Sequence, residues 1–246
     1  MRNYNEEFAD SDNESFGRKY SYDFDFETMH RFMLRAAAPF IHGTDILELG
    51  SYKGDFTQKL LETYHKVTCV EASSAAVAIA RDRIGNDVDI LCCTFEECDL
   101  RRKFSAVFLT HVLEHIEDSV GLLRKIRDEW LSDDGVLIVI VPNAHAASRQ
   151  IANYMGLVDG CESVTDAERK QGHVRTYTLD SLTADCTMAG LEIVDRKGIF
   201  FKALANFQWD EVIRRNIVSH AYLDACYSLG LKFPELCSSI MVVCKR

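Results

Sequence analysis

The stretch Asp45-Ile-Leu-Glu48-Leu-Gly50-Ser51-Tyr52-Lys53-Gly54 joins an apolar run to an acidic residue and two glycines. That spacing marks a strand-to-helix turn of the kind that passes beneath a nucleotide. Gly50 lets backbone approach a ligand with no Cβ in the way. Gly54 lets the next helix pack closely, with its free N–H groups toward the ligand. About twenty residues on, a second apolar run ends in Val70-Glu71-Ala72. A carboxylate at such a tip can accept two hydrogen bonds from the 2′ and 3′ hydroxyls of a ribose. The alternative for Glu71 is a helix-capping or solvated carboxylate. After a third run, Thr94 and Phe95 in Thr94-Phe95-Glu96-Glu97 are placed for the edge and face of an adenine. Glu48, Gly50, Ser51 and Gly54, with Glu71, Ala72, Thr94 and Phe95, thus make one candidate binding set, joined by Thr110 and His111 at the end of a fourth run.

A second set is suited to proton transfer and to holding an acceptor. Neutral histidine is the natural base near pH 7 for a hydroxyl that must lose a proton. His173 is the first candidate for that role and His111 the second; His111 has the alternative of only touching the cofactor, and His115 reads as a structural residue of the turn. Asn143 and His145 follow the fifth apolar run, and Arg175 and Tyr177 lie just past His173. Arg175 suits a phosphate or carboxylate clamp, or a pair with one of many nearby acids. No metal-ligand cluster stands out, and no metal is expected.

These residues need a scaffold that brings distant tips together. Apolar β-branched runs at Asp45–Leu49, Val67–Glu71, Val88–Cys93, Ala106–Thr110, Val136–Val141, Leu191–Ile199 and Ser239–Cys244 read as strands. Runs apolar throughout mean strands buried on both faces. Helical patterns at Gly54–Thr63, Ser74–Arg83, Ser119–Leu131 and Thr178–Ala189 separate them. The expected fold is α/β: a Rossmann-like, doubly wound, mostly parallel seven-stranded sheet with helices on both faces. Residues 1–44 form an N-terminal segment and cap helix, the helix over Phe24–Phe40 and the polar opening expected to be disordered. Residues 45–246 form one domain with insertions near 144–172 and 201–236, both expected over the carboxyl edge of the sheet. The aromatic stretch Phe200–Trp209 reads as part of an acceptor lid or as a packing face, and the insertions could also serve a homodimer interface.

The net charge of −10 argues against a nucleic-acid groove binder, which needs clustered Lys and Arg. The nine cysteines include no C-x-x-C pair, so buried free thiols in a reducing compartment are expected. No apolar run of about 18 residues appears, and a basic start leading into an apolar stretch is lacking. A cytoplasmic chain with no membrane partner is the expectation.

The sequence resembles the class I S-adenosylmethionine-dependent methyltransferases from about Asp45 to Cys244. Four segments carry the likeness: the Glu48–Gly54 turn, Phe108-Leu-Thr-His111-Val-Leu-Glu114-His115-Ile-Glu-Asp118, Val141-Pro142-Asn143, and Gly172-His173-Val-Arg175-Thr-Tyr177-Thr178. They look like the small-molecule branch similar to ubiquinone-biosynthesis O-methyltransferases. Tyr52 stands where the usual signature carries another glycine. An NAD-dependent oxidoreductase would show G-x-G-x-x-G instead, which this chain lacks. The resemblance implies S-adenosyl-L-methionine as cofactor and a small-molecule acceptor, with a sugar or nucleotide-linked glycan hydroxyl as the leading acceptor. A nitrogen acceptor and a non-catalytic binding module are the alternatives.

Overall fold

The computed structural model describes residues 3–11, 22–85 and 88–246. In chain order the elements are α1 (Tyr4–Ser11), a π-wound turn (Phe24–Met29) leading into α2 (His30–Ala37), β1 (Asp45–Leu49), α3 (Asp55–Leu61), β2 (Lys66–Glu71), α4 (Ser74–Ile84), β3 (Asp89–Cys92) and β4 (Phe104–Thr110). There follow α5 (Ser119–Lys125), β5 (Leu131–Pro142), α6 (Ala147–Tyr154), α7 (Asp166–Lys170), α8 (Leu179–Met188), β6 (Glu192–Phe201), α9 (Asn206–Arg214), α10 (His220–Gly230) and β7 (Cys237–Lys245). The sheet order is β3-β2-β1-β4-β5-β7-β6. β7 runs antiparallel to both β5 and β6, while β3 through β5 pair in parallel.

Alternation along the strands divides the core between the two faces. Ile46, Ala106, Phe108 and Ile138 pack on one face with Phe24, Phe32 and Phe56. Leu47, Leu49, Val107 and Leu109 pack on the other with Leu123, Trp130 and Leu182. Both faces are dry, as helix layers on either side of a parallel sheet require. Leu49 pairs with Val70 on β2 and with Leu109 on β4, so the carboxyl tips of the three strands lie level. The strand order reverses between β1 and β4. In open α/β sheets that switch point is where a ligand cleft forms.

Three expectations need correction. Residues 4–11 of the polar opening form α1 rather than disordered chain, because tertiary contacts hold them: Phe8 meets the Tyr52 ring at 5.4 Å, and Asn5 Oδ1 accepts from Ser73 Oγ at 2.9 Å at the start of α4. Of the rest of that opening, residues 1–2 and 12–21 lie outside the described residues. The helix expected to run to Leu131 leaves α geometry after Lys125 and closes with a π-wound turn, Ile126–Trp130; β5 starts at once, since Leu131 already pairs with Phe104. The insertion near 201–236 reaches the carboxyl edge only at its start. Most of it is packing: Tyr227 stacks on Phe32 at 5.1 Å, and Trp209 on Phe24 at 5.5 Å. Among the described residues, no helix is long and apolar enough to cross a membrane.

Candidate active site

A cavity of about 510 Å³ opens over the level tips of β1, β2 and β4. Gly50 continues β1 in the left-handed region at φ 79°, and a Cβ there would run into the Val112 side chain. Only glycine allows this close crossing of the β1 and β4 loops. Glu71, at the tip of β2, lines the cavity. Its Oε2 accepts from Tyr52 N at 2.9 Å and its Oε1 from Ser73 N at 2.9 Å. The carboxylate is therefore fixed by backbone on both sides, and each oxygen keeps a lone pair for a ligand. Burial raises its pKa above the ordinary carboxylate value, against the pull of those N–H groups.

Ser51, Ala72, Thr94, Phe95 and Thr110 also line the cavity. Ser51 Oγ and Thr110 Oγ1 are buried without a hydrogen-bond partner, as are His30 Nδ1 and Glu114 Oε2 in the same cavity. Buried polar atoms are nearly always paired, so four such atoms around one space fit a polar ligand. Glu48 lines the floor, but its Oε2 is engaged by Thr57 Oγ1 at 2.6 Å, and burial pushes its pKa up to about 7. Gly54, φ 79°, does not line the cavity; a Cβ there would lie 3.3 Å from the Ala80 Cβ, so its place is packing between α3 and α4.

The β4 side of the cavity holds the histidines. His111 turns the chain out of β4 at φ 51°, donates its backbone N–H to Ile140 O at 2.8 Å and hydrogen-bonds Ser239 Oγ at 3.1 Å through Nε2. Burial, with His30 and His173 nearby, pushes its pKa down to about 3. His173 faces the same cavity, and its pKa is lowered by burial, with Glu168 opposing and Arg149 adding. Its ring meets His115 edge-on at 4.6 Å. His115, read as structural, is thus part of the cavity wall. The loop is tied down by His173 N donating to Glu168 O at 2.9 Å and Val174 N to Glu114 O at 3.0 Å.

The acceptor-side expectations fare unevenly. Asn143 lines the cavity, yet its Nδ2 donates to Glu235 O at 2.8 Å and Cys237 O at 2.9 Å. His145 lies outside and pairs with Glu162 at 2.9 Å. Arg175 also lies outside: it donates to Ser119 Oγ at 2.9 Å and Glu117 O at 2.6 Å, bracing α5. Tyr177 is buried with its hydroxyl on Asp185 Oδ2 at 2.8 Å. His173 reaches the cavity, whereas the bonds to Ser119, Glu117 and Asp185 draw Arg175 and Tyr177 toward α5 and α8. The structure thus places both outside the cavity lining.

Sequence reasoning missed the residues contributed from afar. Tyr4, Glu7 and Phe8 come from α1; Asp25 from the π-wound turn and His30 from the start of α2; Arg149 and Glu168 from the first insertion; Lys202 from just past β6. Arg149 and Glu168 form a forked ion pair. Lys202 donates to Asn206 Oδ1 and, at 3.3 Å, to Leu204 O, and burial lowers its pKa to about 8. Glu114, His115 and His173, which the sequence did not show as a group, bring their ligand atoms within 4.8 Å of one another. Adjacent Glu114-His115 was the visible half of that signal; the third member is almost sixty residues away and only the fold supplies it.

The family described as "Methyltransferase domain" matches residues 21–196. The chain belongs to this family. Its class I, S-adenosylmethionine-dependent character agrees with the fold and the Gly50–Glu71 edge. The methyltransferase is 27% identical over 169 residues to a ubiquinone biosynthesis O-methyltransferase of Bradyrhizobium diazoefficiens, covering 67% of this chain and 64% of that relative. It is 28% identical over 156 residues to nodulation protein S of Azorhizobium caulinodans, covering 60% of this chain and 72% of the relative. In fold it resembles the crystal structure of the N-methyltransferase NodS from Bradyrhizobium japonicum in complex with S-adenosyl-L-homocysteine, with TM-score 0.61 and 16% identity over 99% of this chain and 97% of that one.

Proposed function

We propose that this methyltransferase transfers the methyl group of S-adenosyl-L-methionine to an oxygen of a small, uncharged polar acceptor such as a sugar hydroxyl. Glu71 and the Gly50 turn would hold the donor, with Ser51 and Thr110 supplying unspent hydrogen-bonding atoms. Bound there, the donor supplies an electrophilic methyl on a positive sulfonium. His173 carries the reading: a neutral imidazole facing the same cavity as Glu71, at the β4 end. Sheet spacing of ~4.8 Å places the β2 and β4 tips ~10 Å apart, enough to separate a nucleoside end from a reacting end. His173 would take the proton of the acceptor oxygen as that oxygen gained the methyl carbon, the electron pair of the methyl–sulfur bond remaining on the donor's sulfur. Glu168 opposes the burial that disfavours the resulting imidazolium.

An anionic acceptor fits less well. The cavity lining carries Glu7, Asp25, Glu48, Asp55, Glu71, Glu114 and Glu168, with Glu48 and Glu114 held partly protonated by burial, against Arg149 and Lys202, both already engaged. A nucleotide-linked sugar would have to keep its phosphates outside. The same acid-rich lining favours, as a second reading, a cationic amine acceptor, which after losing its own proton needs no further base. His173→Ala should lower turnover with an oxygen acceptor by roughly 10²–10⁴-fold, with affinity for S-adenosyl-L-homocysteine nearly unchanged. A panel of sugars, phenols and amines with the labelled donor identifies the acceptor class. Methylation of amines alone, or full activity in His173→Asn, would overturn the oxygen reading.

A further inference from the structure

Glu114 is the middle residue of the short helical turn after β4 and is 2% exposed, yet its Oε2 has no hydrogen-bond partner. A buried carboxylate oxygen left unpaired is costly. Two imidazoles stand beside it, and its Oε2 accepts from neither: the ligand atoms of Glu114, His115 and His173 lie within 4.8 Å of one another. The arrangement is held by backbone, through Val174 N on Glu114 O at 3.0 Å and His115 N on Val112 O at 2.9 Å. Nitrogen and oxygen ligands around one ion at ~2.0–2.2 Å sit roughly 3–3.5 Å apart. The trio would reach that spacing if its ligand atoms closed by up to roughly 1.5–2 Å.

We propose that Glu114, His115 and His173 bind a divalent transition-metal ion in the wall of the cavity. Two imidazoles and one carboxylate suit zinc, manganese, iron(II) or cobalt(II), whereas magnesium and calcium favour oxygen ligands. Three protein ligands leave further coordination positions open, and the trio faces the cavity. The site rests on the reading that this end receives the acceptor. An ion there lowers the pKa of an oxygen that coordinates it, so an acceptor hydroxyl would lose its proton to solvent water on binding. The ion and a protonated imidazole exclude each other at His173. Metal loading therefore replaces proton uptake by that ring.

The test uses the full chain freed of metal by a chelator and titrated with Co²⁺ and Zn²⁺. We expect one equivalent to bind at micromolar concentration or below, with the visible d–d bands of cobalt in nitrogen and oxygen coordination. Glu114→Gln keeps the side-chain shape and His173→Ala removes a half-buried ring. Each should weaken binding by at least ~100-fold, the upper end of what even outer partners of a metal contribute, while S-adenosyl-L-homocysteine affinity stays unchanged. His220→Ala, at an exposed histidine outside the cavity, should change nothing. No binding below millimolar Co²⁺, cobalt bands of thiolate coordination, or equal affinity in the variants would overturn the site. If the ion binds as described and only amines are methylated, the metal site stands and the oxygen acceptor falls. If oxygen is methylated by a chain that binds no ion, the metal site falls and His173 is the base.

Discussion

Glu71 does two jobs at once. It braces the Tyr52 and Ser73 backbone and keeps lone pairs for a ligand. Glu71→Ala should cost on the order of 2–4 kcal/mol in donor affinity, the worth of two charge-assisted hydrogen bonds. Calorimetry with S-adenosyl-L-homocysteine measures this, and an unchanged affinity would remove the residue from the binding set. Glu48 has a different role, set by burial. Its folded pKa of about 7 stands above the ordinary 4.5, so the folded state holds the proton more tightly. That contribution is fully present below pH ~4.5 and is lost as pH rises through ~7, a difference of order 3 kcal/mol. Glu48→Gln keeps an acceptor for Thr57 and should flatten the fall in stability between about pH 5 and pH 8; parallel denaturation curves for the two proteins would refute it. Glu48, Gly50 and Glu71 were legible in sequence because one turn and one strand tip encode them. Arg149, Glu168, Lys202 and His30 were not, because each reaches the cavity from an element whose neighbours only the fold decides.

Strand positions were legible because strands buried on both faces must be apolar throughout. Element ends were less so: Trp130 and Leu131 are both large, hydrophobic and buried, and nothing local separates the end of a helix from the start of a strand. α1 was misread because the acidity of the segment hides its docking, which Asn5 and Phe8 provide. Asn5 Nδ2 donates to Ser74 Oγ at 3.1 Å, and its Oδ1 accepts from Ala75 N at 3.3 Å. Phe8 lies over Tyr52, with the Lys53 ammonium 5.1 Å from its ring. This helix walls one side of the cavity where Glu71 and Ser73 stand. Phe8→Ala should therefore speed donor release by roughly tenfold, in line with the ~1–2 kcal/mol of a half-buried aromatic contact, and leave thermal stability almost unaltered. Stopped-flow displacement measures that rate. An unchanged rate together with a large drop in melting temperature would make α1 a structural element rather than a wall of the donor site.

At the scale of the whole molecule, a net charge of −10 surrounds a cavity whose lining is itself rich in carboxyl groups. The methylated donor carries one more positive charge than its demethylated product, so both sources of field favour substrate over product. They differ in range. The field of distant surface charges is screened as the Debye length shrinks from ~30 Å at ~0.01 M salt to ~3 Å at ~1 M. Attraction to lining carboxylates a few ångströms from the ligand and shielded from solvent is screened far less. Burial also keeps part of the lining protonated near neutral pH, with Glu48 raised to about 7 and Glu114 to about 8. The near field is thereby weaker than a count of acids implies, and the far field takes a larger share. Calorimetry across that salt range should accordingly show the affinity ratio of S-adenosyl-L-methionine to S-adenosyl-L-homocysteine falling by a few fold, most of it at low salt. A ratio independent of salt would assign the discrimination to cavity contacts alone and leave the acidity of the surface without a part in turnover.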